Sequence, residues 1–144
     1  MFSRKTKPTK INSLDELKPL IQSGQPVLLD FFQVNCGPCK VMDGVVNELA
    51  HEYRDTAHVV KIDVTKVPGA AQSFGVRSTP TFVLLGTASK SSKKQRRKAA
   101  AKDGTAPVAT PSGRVTPRWR AAGLVKKDQL AKVLESNGAV LAGQ

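Results

Sequence analysis

Val27-Leu28-Leu29-Asp30-Phe31-Phe32-Gln33-Val34-Asn35-Cys36-Gly37-Pro38-Cys39-Lys40 runs an apolar hexapeptide into a pair of closely spaced cysteines. Val27 to Phe32 is broken only by Asp30, which predicts a strand buried on both faces. Beyond the cysteines, Val41, Val45, Val46, Leu49 and Tyr53 return at three- and four-residue steps. That period predicts a helix from Cys36 to Tyr53, kinked at Gly44. The cysteines therefore fall at a strand-to-helix turn, where unpaired backbone N–H groups and the positive end of the helix dipole favour a thiolate. Cys36, on the solvent side of the turn, is the candidate nucleophile. Cys39, one helical turn on, is placed to attack the mixed disulfide that Cys36 forms. Pro38 suits the first helical turn, where no N–H need be donated, and Gly37 lets a partner's backbone approach.

Working outward, Ser13-Leu14-Asp15-Glu16 has capping-box spacing, followed by Leu17, Leu20 and Ile21 at helical intervals and a stop at Gly24. His58 to Val64 reads as a second buried strand, a short helix covers Gly69 to Phe74, and Thr81 to Leu85 reads as a third strand. The order to this point is αβαβαβ. From about 88 to 112 the chain turns to Ser, Lys, Arg, Ala, Pro and Gly without an apolar period, a composition that cannot bury a core. Arg114 to Ala121 is strand-like, and Pro117 confines it to a sheet edge. A last helix spans Lys126 to Ser136, with Val125, Leu130, Val133 and Leu134 inward and Gly138 beyond its end. There is no internal repeat.

The formal charge of +12 suggests a nucleic-acid binder until it is divided along the chain. Residues 1–10 carry +4, residues 11–87 carry −2, residues 88–120 carry +9 and residues 121–144 carry +1. The body is near neutral, and the positive charge belongs to two attachments. A chain of 144 residues, 40% hydrophobic, suffices for one domain and not for two. No stretch approaches the roughly 18 apolar residues of a membrane span, and the first ten residues lack the apolar core of a secretion signal. The expectation is a soluble, cytoplasmic protein, with the basic start leaving nuclear or organellar targeting as alternatives.

Two cysteines are too few for a disulfide framework, and their spacing points to redox chemistry or metal. With His51 and His58 they come close to a two-Cys, two-His zinc pattern. The spacing between the histidines is too long, and no turn separates the cysteines from their own helix, so both histidines are expected at the surface. Trp119, the single Trp, is expected to pack on the edge strand.

Taken together, Val27 to Phe32, Cys36-Gly37-Pro38-Cys39-Lys40, Lys61-Ile62-Asp63-Val64 and Val76-Arg77-Ser78-Thr79-Pro80-Thr81 resemble the thioredoxin family in order and spacing. Gly123-Leu124-Val125-Lys126-Lys127-Asp128-Gln129-Leu130 resembles the family's closing turn and helix. The resemblance runs over residues 11–87 and 114–137. It implies a single α/β domain at 11–137, with a central mixed β-sheet flanked by helices and a disordered basic insertion at about 88–112 in the last hairpin. A basic tail at 1–10 and a tail at 138–144 complete the chain. It further implies a protein-disulfide reductase with no cofactor beyond a redox-active Cys36–Cys39 disulfide. Asp30 would be the buried carboxylate that helps Cys39 lose its proton, Lys61 its charged neighbour, and Pro80 a cis proline abutting the disulfide. Gly37, Pro38, Thr79, Pro80 and Gly123 would meet the substrate, the backbone of Thr79 pairing with an extended segment. Implied partners are disulfide-containing proteins and a thioredoxin reductase or similar electron donor, with no membrane.

Three positions depart from the family pattern. Asn35 and Phe32 stand where Trp is usual, and Gly44 replaces a Pro. The first alters the partner-facing surface, as do Ser78 and Thr79 in place of a more apolar pair. Lys90, Lys93, Lys94, Arg96, Arg97 and Lys98 crowd six positive charges into nine residues. They support an alternative of another class, a thioredoxin-fold binding module that holds nucleic acid or an acidic partner through the insertion.

Overall fold

A computed structural model describes residues 5–86, 108–110, 113–115 and 117–143. The strands are β1 (Thr9–Lys10), β2 (Val27–Phe32), β3 (His58–Asp63), β4 (Thr81–Leu85), β5 (Val108–Thr110), β6 (Gly113–Val115) and β7 (Pro117–Ala122). The helices are α1 (Leu17–Gln22), preceded by a 3-10 turn at Leu14–Glu16, α2 (Gly37–Glu52), α3 (Ala70–Phe74) and α4 (Lys127–Ser136). The capping box forms in full, with Ser13 accepting from Asp15 N–H and Glu16 reaching back to the Ser13 N–H.

Five strands make one mixed sheet in the order β1-β3-β2-β4-β7. β2 runs parallel to β3 and antiparallel to β4, and β4 is antiparallel to β7. Side chains alternate between the two faces of a strand. Accordingly Leu28, Val59, Phe82 and Leu84 pack with Met42, Val46, Leu49 and Leu134 under α2 and α4. Leu29, Phe31, Val60, Ile62 and Val83 pack with Leu17 and Phe74 under α1 and α3. Fully burying each such side chain is worth roughly 1.5–3 kcal/mol before entropy is set against it. The same alternation puts Asp30, in phase with Leu28, on the α2 side.

Four details differ from the sequence reading. The buried stripe of α2 is Cys39, Met42, Val46, Leu49 and Ala50, and Val41 is 66% exposed. Val46, Leu49 and Tyr53 are buried as the spacing predicts; only Val41 falls off the stripe, about 100° around the helix from Met42, which takes the inward position. Arg114 and Val115, expected to begin the last sheet strand, belong instead to Gly113–Val115, which pairs with Val108–Thr110 as a separate two-stranded ribbon and takes residues 108–110 out of the loop expected at 88–112. Val108 and Val115, register partners in this ribbon, are β-branched residues of high strand propensity. Thr9 and Lys10, assigned to the basic tail, add a short parallel edge strand to β3. After Gly138 the chain folds back: Ala139 is buried, Val140 exchanges bonds with Thr56, and the Ala142 N–H donates to Glu52. Lys90 to Lys98, with the rest of residues 87–107, lie outside the described residues.

Replacing residues 87–115 with an Asn-Gly turn tests whether the basic segment belongs to the fold. Leu85 and Pro117 are register partners on neighbouring antiparallel strands, so the ends to be joined are already adjacent. Loop-closure entropy changes slowly with length. The expected result is a cooperative thermal transition within a few degrees of the parent, read by circular dichroism.

Candidate active site

β2 ends at Phe32, and Gln33, Val34 and Asn35 carry the exposed chain to the N-terminus of α2. Cys36 is the N-cap residue, in an extended backbone conformation, and its sulfur accepts from the Cys39 N–H at 3.1 Å. Pro38 sits in the first helical turn. The two sulfurs are joined as a disulfide. Gly37 and Pro38 are exposed, while Cys39 is only 4% exposed. Cys36 is also largely covered, at 9%, but it sits at the cap beside the exposed Gly37 and Pro38, whereas Cys39, one turn later, faces the sheet.

The Thr79–Pro80 peptide bond is cis, and Pro80 is buried. The Thr79 carbonyl oxygen lies 3.5 Å from Cys36 Sγ, an acceptor for the thiol proton when the pair is reduced. The Gly123 N–H donates to the Pro80 carbonyl at 2.8 Å, which ties the β7–α4 turn to the proline loop. Gly123 has φ +87°, a conformation strained for any residue with a Cβ. The cysteine turn, Thr79-Pro80 and Gly123 thus form one rim, brought together from three places in the chain.

Asp30 lies on β2, on the sheet face that α2 covers, 1% exposed, with Lys61 and Phe82 as its register partners on β3 and β4. Its Oδ1 has no hydrogen-bond partner. Burial is the main influence on its carboxyl and pushes it from 3.8 up to about 7; Lys61 opposes the rise and Asp43 adds to it. Lys61 is beside Asp30 in register, but its ammonium bonds Asp43 Oδ1 on α2 at 2.8 Å and lies 4.6 Å from the centre of the Phe32 ring. Asp43 is the group that the sequence reading missed. It occupies the exposed-to-inward border of α2, four residues after Cys39, and a carboxylate at i+4 from a buried active-site side chain is the only signal that could have marked it.

His51 and His58, expected at the surface, are half-buried and far apart in role. His51 accepts from the Thr6 N–H, and His58 meets Ser23 Oγ. Among the described residues, no group of three or more His, Cys, Asp or Glu is placed to hold a metal ion. Likewise, no helix among them is long and apolar enough to cross a membrane.

Trp119 is half-buried on β7 opposite Leu84, packed against the α2-side core. It is three residues before Ala122, about 10 Å along the strand from the Pro80 end. Its emission is therefore expected to change little when dithiothreitol reduces the cysteine pair. A large change in fluorescence would contradict this separation.

The family model described as thioredoxin matches residues 9–105, two thirds of the chain. The chain is 41% identical over 82 residues to the chloroplastic thioredoxin Y2 of Arabidopsis thaliana, covering 57% of this chain and 48% of that protein. It is 40% identical over 75 residues to a thioredoxin of Haemophilus influenzae, covering 52% of this chain and 70% of the relative. The chain thus spans about half the length of the Arabidopsis protein it matches. Among solved structures, a variant thioredoxin from Halobacterium salinarum superposes with a TM-score of 0.65 at 26% identity, covering 97% of this chain and 98% of the other. Mitochondrial thioredoxin 3 of Saccharomyces cerevisiae, in its oxidised form, superposes with a TM-score of 0.61 at 25% identity, covering 90% and 94%.

Proposed function

The chain belongs to the thioredoxin family, and from that premise we propose that it is a thiol-disulfide oxidoreductase that reduces protein disulfides through Cys36 and Cys39. The observation that carries this reading is the cysteine pair itself: two sulfurs at bonding distance on a helix N-terminus, one at the rim and one beneath it. In the first step the Cys36 thiolate attacks a substrate disulfide, forming a Cys36–substrate disulfide and expelling one substrate thiolate. In the second, Cys39 gives its proton to the Asp30 carboxylate and attacks the Cys36 sulfur. The mixed disulfide breaks, the Cys36–Cys39 disulfide forms, and the second substrate thiolate leaves. Substrate is reduced by two electrons and the cysteine pair is oxidised by two. A dithiol donor, a thioredoxin reductase or its equivalent, must return the pair to the thiol state.

Gly37, Pro38, Thr79, Pro80 and Gly123 form the substrate-facing rim, where an extended segment pairs with the Thr79 backbone. No resident metal or cofactor has a part in these steps. The working unit is one domain that extends past the 11–137 read from the sequence, from the edge strand at Thr9–Lys10 to the docked chain at Ala142, and the basic segment is an addition to it. The binding-module alternative rests on Lys90 to Lys98, outside the described residues, and no contact among the described residues favours it.

Turnover of insulin disulfides in the presence of a thioredoxin reductase and its reductant tests the proposal. Sustained release of insulin thiols, dependent on the chain, is expected. Failure with every reductase tried and also with chemically prereduced chain would reject it.

A further inference from the structure

We propose that Asp43 is a positioning residue for the resolving step: by holding the Lys61 ammonium and by its own negative charge, it keeps Asp30 protonated to higher pH. The proposal rests on the reading of Asp30 as the base for Cys39. The geometry behind it is a competition for one cation. Lys61 is the register partner of Asp30, on the same face of the sheet, and is the cation nearest in the fold's logic to the buried carboxyl. Its Nζ nevertheless bonds Asp43 at 2.8 Å, while Asp30 Oδ1 is left without a partner. The outer carboxylate is 43% exposed and easily solvated; the inner one is 1% exposed and is not. A cation held by the outer acid stabilises the ionised inner acid less than one bonded to it directly.

Among the described residues, few charged groups surround Asp30. β3 presents Lys61, and α2 presents Asp43 and, once reduced, the Cys39 thiol. β4 offers Phe82, which does not titrate. Lys10 of β1 stands farther out, 5.7 Å from the centre of the Phe32 ring, and Asp63 is occupied by the Thr65 N–H and hydroxyl. Burial sets most of the rise in the Asp30 carboxyl, and Lys61 and Asp43 are the two charged groups that adjust it, Lys61 lowering and Asp43 raising it.

Two readouts separate this proposal from the function on which it rests. The first is the Asp30 carboxyl titration, followed by carbon-13 NMR in the oxidised full-length protein, where no catalysis is involved. Asp43→Ala should lower the midpoint by about one pH unit, a tenfold loss of proton affinity. Lys61→Met should raise it, and Asp43→Glu should leave it near the parent. Opposite shifts from the two partners are not what a general loosening of the helix would give. An unchanged midpoint in Asp43→Ala overturns the proposal whether or not the chain reduces disulfides. The second readout is the pH profile of mixed-disulfide resolution, which should move down by the same amount in Asp43→Ala. A moved titration with an unmoved profile would contradict Asp30 as the base, and would leave standing the control of its titration by Asp43.

Discussion

Cys36→Ser is expected to abolish protein-disulfide reduction, and Cys39→Ser to halt it after the first exchange with substrate bound covalently. The difference follows from position. Cys36 caps the helix at the rim, 9% exposed and flanked by the exposed Gly37 and Pro38, so its loss removes the sulfur placed nearer to an incoming disulfide. Cys39 is 4% exposed and faces the sheet, so it can reach the Cys36 sulfur but not an incoming protein. The Cys39→Ser variant should run on a non-reducing gel as a substrate adduct that dithiothreitol dissolves. Activity of either variant above about one part in a hundred of the parent would contradict the division into nucleophile and resolver, since removing a covalent-catalysis nucleophile usually costs several orders of magnitude.

The second large effect belongs to Asp30. In the unfolded chain its carboxyl ionises near 3.8, but in the fold only near 7. Between those values the folded state binds the extra proton, so the stability contributed at this site is present at low pH and is lost as pH rises through about 7. The loss amounts to about 4 kcal/mol once both states are ionised, at 1.36 kcal/mol per unit. Asp30→Asn removes the titration. Whatever the buried amide costs, that cost does not vary with pH, so the variant's stability relative to the parent should rise by roughly 3 kcal/mol between pH 5 and pH 8. Urea unfolding at the two pH values measures it. The same substitution should slow mixed-disulfide resolution at neutral pH by at least about tenfold, with the deficit shrinking at higher pH as Cys39 ionises unaided. An Asp30→Asn protein no more stable at pH 8 than at pH 5, relative to the parent, would show that the carboxyl is not held out of water.

Much of this was legible in the sequence because it is local. The apolar run from Val27 to Phe32, the cysteine turn and the capping box at Ser13 each declare their conformation within a few residues. The rim was legible by resemblance, since nothing local says that Pro80 and Gly123 meet. The misreadings have a common cause in tertiary choice. The apolar period placed Val46, Leu49 and Tyr53 inward as found, but Val41 and Met42 are adjacent apolar residues, and the sheet takes Met42. Gly138 signals the end of α4 correctly, yet the chain after it still docks, because Thr56 and Glu52 offer bonds from a distant loop and helix. Val108–Thr110 was hidden in a biased composition whose β-propensity shows only once Gly113–Val115 pairs with it. Asp43 was invisible because its partner, Lys61, is reached across a helix-sheet interface and not along a strand.

A single turnover of the reduced chain against one equivalent of insulin, quenched with an alkylating reagent and mapped by mass spectrometry, tests the central claim most directly. The expected result is that insulin gains two alkylated thiols for each chain in which Cys36 and Cys39 escape alkylation and appear as a disulfide-linked peptide. Insulin recovered intact, with both cysteines of the chain still alkylated, would contradict it.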